Sequence, residues 1–468
     1  MENPVDNNSV RLSFKEKIGY AVGDTGSNLY FQIVMSFIPI FYTDVFGIPA
    51  SALSIMFLVT RLWDAINDPI MGMIADRTNT RWGKYRPYLL FVGLPFVGVS
   101  VLTFVTPDFQ VTGKIVYAYV TYTLMMMFYT AVNVPYSALM GVMTSSNVER
   151  TKLSSYRFVA AFFGQFTVQS TILYLVKYFG KGNEAVGWQW AVACFGGLAF
   201  ALFTIVFFAS KERVYPPKEQ KTNFKQDLKD LFTNKPWIII GLATVFQLIF
   251  IVVRSGSTTY YVKYYIQEQD FNFFGNISHL SIEFLTTIFF TSGSVAGIIG
   301  AILASRFTRK LDKRIIYGGF LASSAILGSL YYFLPPDRLV IIYPLNLIIS
   351  FFFGTVSALQ WAMYTDTADY GEWKYGRRAT GLIMAASLFA IKLGLTLGGA
   401  IIGWVLAIFN YDPNLAQSPE SLNGILVLFS LAPAIFGVIG GALMIFYPLS
   451  NQMLVKIEED LSAKRGKN

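Results

Sequence analysis

The residues with the most chemistry to offer lie in FLVTRLWDAINDPIMG (57–72), where Arg61, Asp64 and Asp68 recur at spacings of three and four. On a helix that spacing puts all three on one face. Two carboxylates one turn apart repel each other unless a proton or a metal cation lies between them. Hard oxygen donors carrying negative charge are what H⁺ or a small cation requires. A structural ion pair from Arg61 to either aspartate is the alternative, but one arginine cannot neutralise two. A second stretch, FYTAVNVPYSALM (128–140), sets Tyr129, Thr130, Asn133 and Ser137 in a polar stripe at helical spacing, and Pro135 frees a backbone carbonyl. Thr130 can give a cation its hydroxyl, and Asn133 can bond a substrate hydroxyl. Hydrogen bonding between helices is the competing use of this stripe.

Three cations sit alone in apolar surroundings: Arg157, Arg254 and Lys392. An ionisable group at the centre of a membrane helix costs roughly 2.5–3.5 kcal/mol on insertion scales, so it marks a pathway or a site. Lys392, in LFAIKLGLTLGG, has Asp64 and Asp68 as its natural partners. Arg157 is either a substrate contact or a gating or snorkelling residue at the inner end of its helix. Arg254, in IVVRSGSTTYYVKYY, either meets an anionic group of a substrate or pairs with a carboxylate. Among the many aromatic residues, Trp361 is the candidate for stacking on a ligand ring. Cys194 and His279 are single copies of their kinds, which leaves no disulfide framework within one chain and no Cys/His cage for a metal. Cys194 is expected as inert packing and His279 as solvated.

The elements that must position these residues are long and apolar. Of the chain's 468 residues 54% are hydrophobic and only 14% charged, against about 25% charged in a soluble domain. The formal net charge of +9 does not read as a nucleic-acid surface, because the basic residues fall in short loops instead of on one folded face. A membrane-spanning helix takes about 20 mostly apolar residues. Such runs are expected near 27–46, 49–75, 87–106, 114–142, 153–177, 186–209, 237–265, 281–305, 315–334, 338–363, 380–408 and 422–447. Alternate loops hold the Lys and Arg: residues 77–86, 150–152, 211–235, 306–314 and 374–378, then the tail. Loops 267–280 and 409–421 have neither. By the positive-inside rule both termini are expected in the cytoplasm. No cleavable signal is expected at the start of this sequence, because residues 1–26 mix both charge signs.

The longest polar stretch, 210–236, divides six runs from six, so residues 1–209 and 237–468 are expected as two bundles joined by a central cytoplasmic loop. Within that loop TNFKQDLKDLF (222–232) has the spacing of a short amphipathic helix. The loop GMIADR…RWGK (72–84) has a weaker partner in GAILASR…RK (300–310), which points to two related halves. Gly293/Gly297, Gly394/Gly398, Gly399/Gly403 and Gly437/Gly441 are spaced for close helix packing.

WDAINDPIMGMIADRTNTRWGKYRP (63–87) resembles the signature of the glycoside–pentoside–hexuronide:cation symporters, the group of the major facilitator superfamily that includes the melibiose carrier. The resemblance extends over nearly the whole chain, through KIGYAVGDTGSNLYF, FYTDVFGIPA, NVPYSALM, RFVAAFFG, TDTADYGEWKYGRRATG and NYDPNLAQS. It implies an all-α membrane protein with the major facilitator fold, about twelve transmembrane helices in two six-helix bundles. It further implies uptake of a sugar or glycoside coupled to Na⁺ or H⁺, with no resident cofactor, in a bacterial inner membrane. The family's cation motif falls on Asp64, Asp68, Thr130 and Lys392, the first three being metal ligands only where the ion is Na⁺. Its sugar motif falls on Asn28, Tyr129, Asn133 and Arg157. Two carboxylates of the melibiose carrier are Asn28 and Asn133 here, and two of its tryptophans are Ser137 and Ser357, with Trp361 one turn further on. With Arg157 and Arg254 retained, the resemblance implies a neutral or anionic glycoside. A drug exporter of the same fold is the nearest rival, and a membrane enzyme using the carboxylate pair as acid and base a more distant one.

Overall fold

The computed structural model describes residues 11–144, 147–213, 231–273, 276–376 and 380–465. The amphipathic segment expected over 222–232 lies outside these residues as far as residue 230, as do Arg377 and Arg378.

Helix α1 (Phe14–Ser36) begins thirteen residues before the expected 27. Ser13 and Glu16 form a capping box, with Glu16 N–H donating to Ser13 Oγ at 3.2 Å and Ser13 N–H to the Glu16 carboxylate at 3.1 Å. The early turns carry Lys17, Glu16 and Asp24, which reads as polar sequence; each is matched by an opposite charge from another helix, described below. After a 55° bend the chain continues helically through Ile38–Phe46. Then follow α2 (Ala50–Arg77), α3 (Arg86–Thr103), α4 (Val111–Met143), α5 (Asn147–Gly180) and α6 (Glu184–Ala209). After the central stretch come α7 (Lys235–Ile266), α8 (Ile282–Phe307), α9 (Lys313–Phe333), α10 (Leu339–Tyr375), α11 (Thr380–Ile408), α12 (Pro419–Phe446) and the short α13 (Asn451–Arg465). Helix α10 outruns the expected 338–363 by three turns, absorbing TDTADYGEW, and stops at Gly376, whose φ of 69° is left-handed.

Among the described residues ten helices are long and apolar enough to cross a membrane, eleven if the bent pair in α1 is one span. Helix α2 is the twelfth long helix; its 28 residues reach about 42 Å at 1.5 Å per residue. Large apolar side chains face outward along these helices, among them Phe163, Phe208, Phe333 and Ile302. That is the reverse of a soluble protein's surface and suits lipid as the surrounding medium. The loop expected over 267–280 is instead a two-stranded antiparallel hairpin, β1 (Gln269–Phe273) and β2 (Asn276–Leu280). Cys194 is exposed on α6, not packed inside it.

The chain forms two compact units, Met1–Ala52 with Val59–Gln220, and Leu53–Leu58 with Lys221–Asn468. Within the first, α1 packs on α5 and α6, and α3 on α4 and α6; within the second, α7 packs on α11 and α12, and α9 on α10 and α12. The same pairings thus recur six helices apart. The ends are similar as well: α1 finishes in a π-turn over Phe41–Phe46 capped by left-handed Gly47, and α7 in one over Tyr261–Ile266 capped by Gln267, also at positive φ but with extended ψ. In both, the cap N–H returns to the carbonyl five residues back. Small residues set the close approaches. A Cβ on Gly164 would lie 2.7 Å from the Thr25 carbonyl, which seats α5 on α1. Gly293, Gly394, Gly398, Gly437 and Gly441 make similar contacts inside the second unit.

Candidate functional site

Helix α2 carries both aspartates of the first motif. Asp64 is 2% exposed and Asp68 half-buried, one turn apart on the same helix. Thr130, 5% exposed on α4, donates its Oγ1 hydrogen to Asp68 Oδ1 at 3.0 Å. The structure therefore brings together Asp68 and Thr130, two of the residues expected to hold a cation. The pair offers oxygen donors only, with the Asp64 carboxylate one turn along α2, and hard oxygen donors are what a hard monovalent ion or a proton requires. The Arg61 side chain lies outside the described residues. Lys392 is half-buried on α11 in the second unit, where Thr396 Oγ1 returns to its carbonyl at 2.8 Å.

Arg157 of α5 is joined to a residue that the sequence pattern did not single out. Its Nε donates to Asp24 Oδ2 at 2.5 Å and its Nη2 to Asp24 Oδ1 at 3.2 Å, a bidentate pair. Tyr136 of α4 donates its hydroxyl to Asp24 Oδ2 at 2.8 Å. The guanidinium lies 4.9 Å from the Tyr136 ring centre and 5.8 Å from that of Tyr20, and the two rings stack at 4.8 Å. Asp24 thus ties three helices of the first unit together. The sequence signal was present, a carboxylate in KIGYAVGDTGSN. It lies before residue 27, where the first apolar run begins, and so reads as part of a polar N-terminal segment.

The asparagines turn to their own helices. Asn28 Nδ2 donates to the Asp24 carbonyl at 2.9 Å, and Asn133 Nδ2 to the Tyr129 carbonyl at 3.0 Å. Each bond uses one N–H of its amide and leaves the second N–H and the side-chain oxygen for other partners. The Tyr129 ring faces an apolar pocket among Tyr30, Phe31, Val34, Phe96 and Met125. Trp361 is 38% exposed on α10, edge-on to Tyr364 at 6.2 Å. Arg254 is placed differently from Arg157. It is 5% exposed inside the second unit, donates to Asn346 Oδ1 at 3.0 Å, and lies 5.0 to 5.8 Å from the rings of Tyr331, Phe429 and Phe289. In that aromatic cage the cation is stabilised by neutral ring faces, and it presents no open edge to an anionic group.

At the end of the first unit that carries the α2–α3 loop, further carboxylates hold the helices in register. Glu212 accepts the backbone N–H groups of Lys84, Tyr85 and Arg86 at 2.8, 2.8 and 3.1 Å, at the N-terminus of α3. Gly83 makes this possible: its φ is +113°, and a Cβ there would lie 2.5 Å from Glu212 Oε1. Glu149 pairs with Lys17 at 2.6 Å and Lys152 at 2.9 Å and accepts the Leu12 N–H at 3.3 Å. The Lys17 and Lys152 bonds hold its pKa at about 2, well below the ordinary 4.5. Glu16 is bonded to Arg213. His279 lies on the exposed hairpin as expected of a solvated residue, and its bond to Asp270 at 3.0 Å raises its pKa.

A sequence model of the family described as MFS/sugar transport protein matches residues 19–451. The inner membrane symporter YicJ of Escherichia coli K12 is 39% identical over 453 residues, 96% of this chain and 95% of that protein. The putative glycoside/cation symporter YagG of the same organism is 37% identical over 457 residues, 97% and 96% of the two chains. Among solved structures, the D-xylose–proton symporter superposes with a TM-score of 0.61 over 92% of this chain and 97% of that one. At 16% identity that last likeness is one of fold.

Proposed function

This chain belongs to the MFS/sugar transport protein family, a multi-pass membrane protein with the major facilitator fold, and we propose that it carries a sugar or glycoside across the membrane together with Na⁺ or H⁺. The observation that carries this reading is the α2–α4 contact, with Thr130 on Asp68 one turn from buried Asp64. Two carboxylates at membrane depth on one helix are costly unless a bound cation resolves their repulsion. Such a site couples transport because its charge state differs between loaded and empty protein. Asp64, Asp68 and Thr130 hold the ion. Asn28, Asn133 and Tyr129 meet the sugar's hydroxyls and ring faces. Alternating access carries both ligands through the membrane. The protein lies in the bacterial inner membrane with both termini in the cytoplasm, and the lysine- and arginine-rich loops support that orientation. The names of the relatives, a symporter and a putative glycoside/cation symporter, support the substrate and ion classes.

The test is uptake of a labelled glycoside into proteoliposomes holding the purified protein, with an inward Na⁺ gradient, an inward H⁺ gradient, or neither. Accumulation above equilibrium under one gradient is expected. Equilibration at the same rate under all three would leave a uniporter, and efflux driven by the gradient an exporter.

A further inference from the structure

We propose that Asp24 sets the charge class of the substrate: by neutralising Arg157 it makes the site one for uncharged glycosides, and without it the same site would take a carboxylated one. This rests on the sugar-transport reading above and narrows it.

The geometry carries the inference in three steps. First, the fork edge of Arg157 is filled. Its Nε and Nη2 both end on Asp24, and one flat face lies over the Tyr136 ring. A carboxylate on a substrate gains most from arginine through a bidentate edge; to take this one it would have to displace Asp24, and at any other N–H of the guanidinium it would still meet the like charge of Asp24. Secondly, Asp24 is itself committed to this pair: Oδ2 takes the Arg157 Nε and the Tyr136 hydroxyl, and Oδ1 takes Arg157 Nη2. The pair is therefore an electrically neutral unit with both partners part-exposed, Arg157 at 22% and Asp24 at 14%.

Thirdly, the pair shares helix faces with the residues proposed to meet the sugar. Asn28 is one turn beyond Asp24 on α1 and donates to its carbonyl. Asn133 precedes Tyr136 by one turn on α4. Of the other charges in the early α1 turns, Lys17 is paired with Glu149 and Glu16 with Arg213. Asp24 is then the carboxylate that decides whether Arg157 presents a positive charge to a ligand. Hydroxyls lose little against asparagine oxygens and a neutral ion pair, whereas an anion needs an uncompensated cation.

The experiment measures competition on the full-length protein in proteoliposomes. Phenyl β-xyloside, phenyl β-glucoside and phenyl β-glucuronide share one aglycone, and the glucuronide differs from the others by its carboxylate. In the native protein the better neutral glycoside should compete more strongly than the glucuronide. In Asp24→Asn the neutral-to-glucuronide ratio should shift at least about tenfold toward the glucuronide, as expected when a charge-assisted contact becomes available. In Asp24→Asn/Arg157→Gln the ratio should return close to the native one, because neutrality is restored. Arg157→Gln alone should move it the opposite way, and this variant reads the same balance if Asp24→Asn does not reach the membrane. A ratio unchanged in the single variants, a double variant that stays shifted, or a native preference for the glucuronide each overturns the inference while leaving sugar transport standing. Binding of none of the three glycosides by the native protein overturns the sugar reading and this inference with it.

Discussion

Replacing Thr130 by valine isolates one bond of the cation site. The hydroxyl it removes is 5% exposed and donates to Asp68 Oδ1 at 3.0 Å. Valine keeps the branched shape, so α4 should pack as before while the oxygen disappears. A hydrogen bond to a charged group is worth about 1.5–3 kcal/mol, which is roughly a 10- to 140-fold change in an equilibrium constant. With Na⁺ as the coupling ion, the Thr130 oxygen turns from Asp68 to the ion, and loss of that ligand should raise the Na⁺ concentration for half-maximal uptake, by up to that factor. The accumulation reached at saturating Na⁺ should not change, because one cation crossing 100 mV still supplies about 2.3 kcal/mol, roughly a fifty-fold gradient. The assay is initial uptake of a labelled glycoside into proteoliposomes across a Na⁺ series at fixed potential, followed by the plateau. A valine variant with native half-saturating Na⁺, in a protein whose uptake depends on Na⁺, refutes the assignment: the hydroxyl would then be joining helices only. A lowered plateau at saturating Na⁺ would refute it differently, by showing that the bond maintains coupling and not affinity.

Asp64→Cys should abolish accumulation while leaving downhill sugar exchange; native-level accumulation would remove Asp64 from the coupling site. Reporter fusions at 77–86, 306–314 and the C-terminus should report cytoplasm, and those at 267–280 and 409–421 the outside, so that one inverted pair sinks the topology. Glu149→Gln should lower thermal stability at neutral pH, with the difference from the native protein vanishing toward pH 2. The sign follows from a folded-state pKa of about 2 against 4.5: the Lys17 and Lys152 bonds contribute fully above the higher value and are lost as pH falls through the lower. A difference that persists undiminished at pH 2 would mean the glutamine acts through packing.

The candidate site was legible where chemistry was expensive and spacing regular. Asp64 and Asp68 stand out because nothing apolar explains two carboxylates one turn apart in a long hydrophobic run, and Thr130 follows from the polar stripe on α4. The fold was legible for the same reason, since apolar length alone sets most of the helices. What was not legible depended on partners distant in sequence. Helix α1 looked too charged to start at Phe14 because Glu16, Lys17 and Asp24 are answered by Arg213, Glu149 and Arg157, residues 197, 132 and 133 positions away. Periodicity within a window cannot see such compensation. The extension of α10 through TDTADYGEW was hidden likewise: Asp366 in that segment is held by Lys313 of α9 at 2.7 Å, and Trp373 by Asp460 of α13 at 2.8 Å.

Arg157 and Arg254 looked alike in sequence, each a lone cation in an apolar helix, and the structure gives them opposite solutions. Arg254 is stabilised by three ring faces and one amide oxygen. None of these carries charge, so the cation remains formally uncompensated by its cage and is shut inside the second unit. Arg157 is stabilised by a carboxylate that cancels its charge, and it keeps part of its surface open. A cation enclosed by rings has no edge with which to read a ligand, and its loss should be felt as a loss of packing, in stability first. A cation held by a carboxylate has its net charge changed by one near-isosteric substitution in its partner, since Asp24→Asn removes the charge and keeps an acceptor oxygen for the guanidinium. Chemistry that responds to the substrate's charge therefore belongs with Arg157, and Asp24 is the residue through which it can be changed.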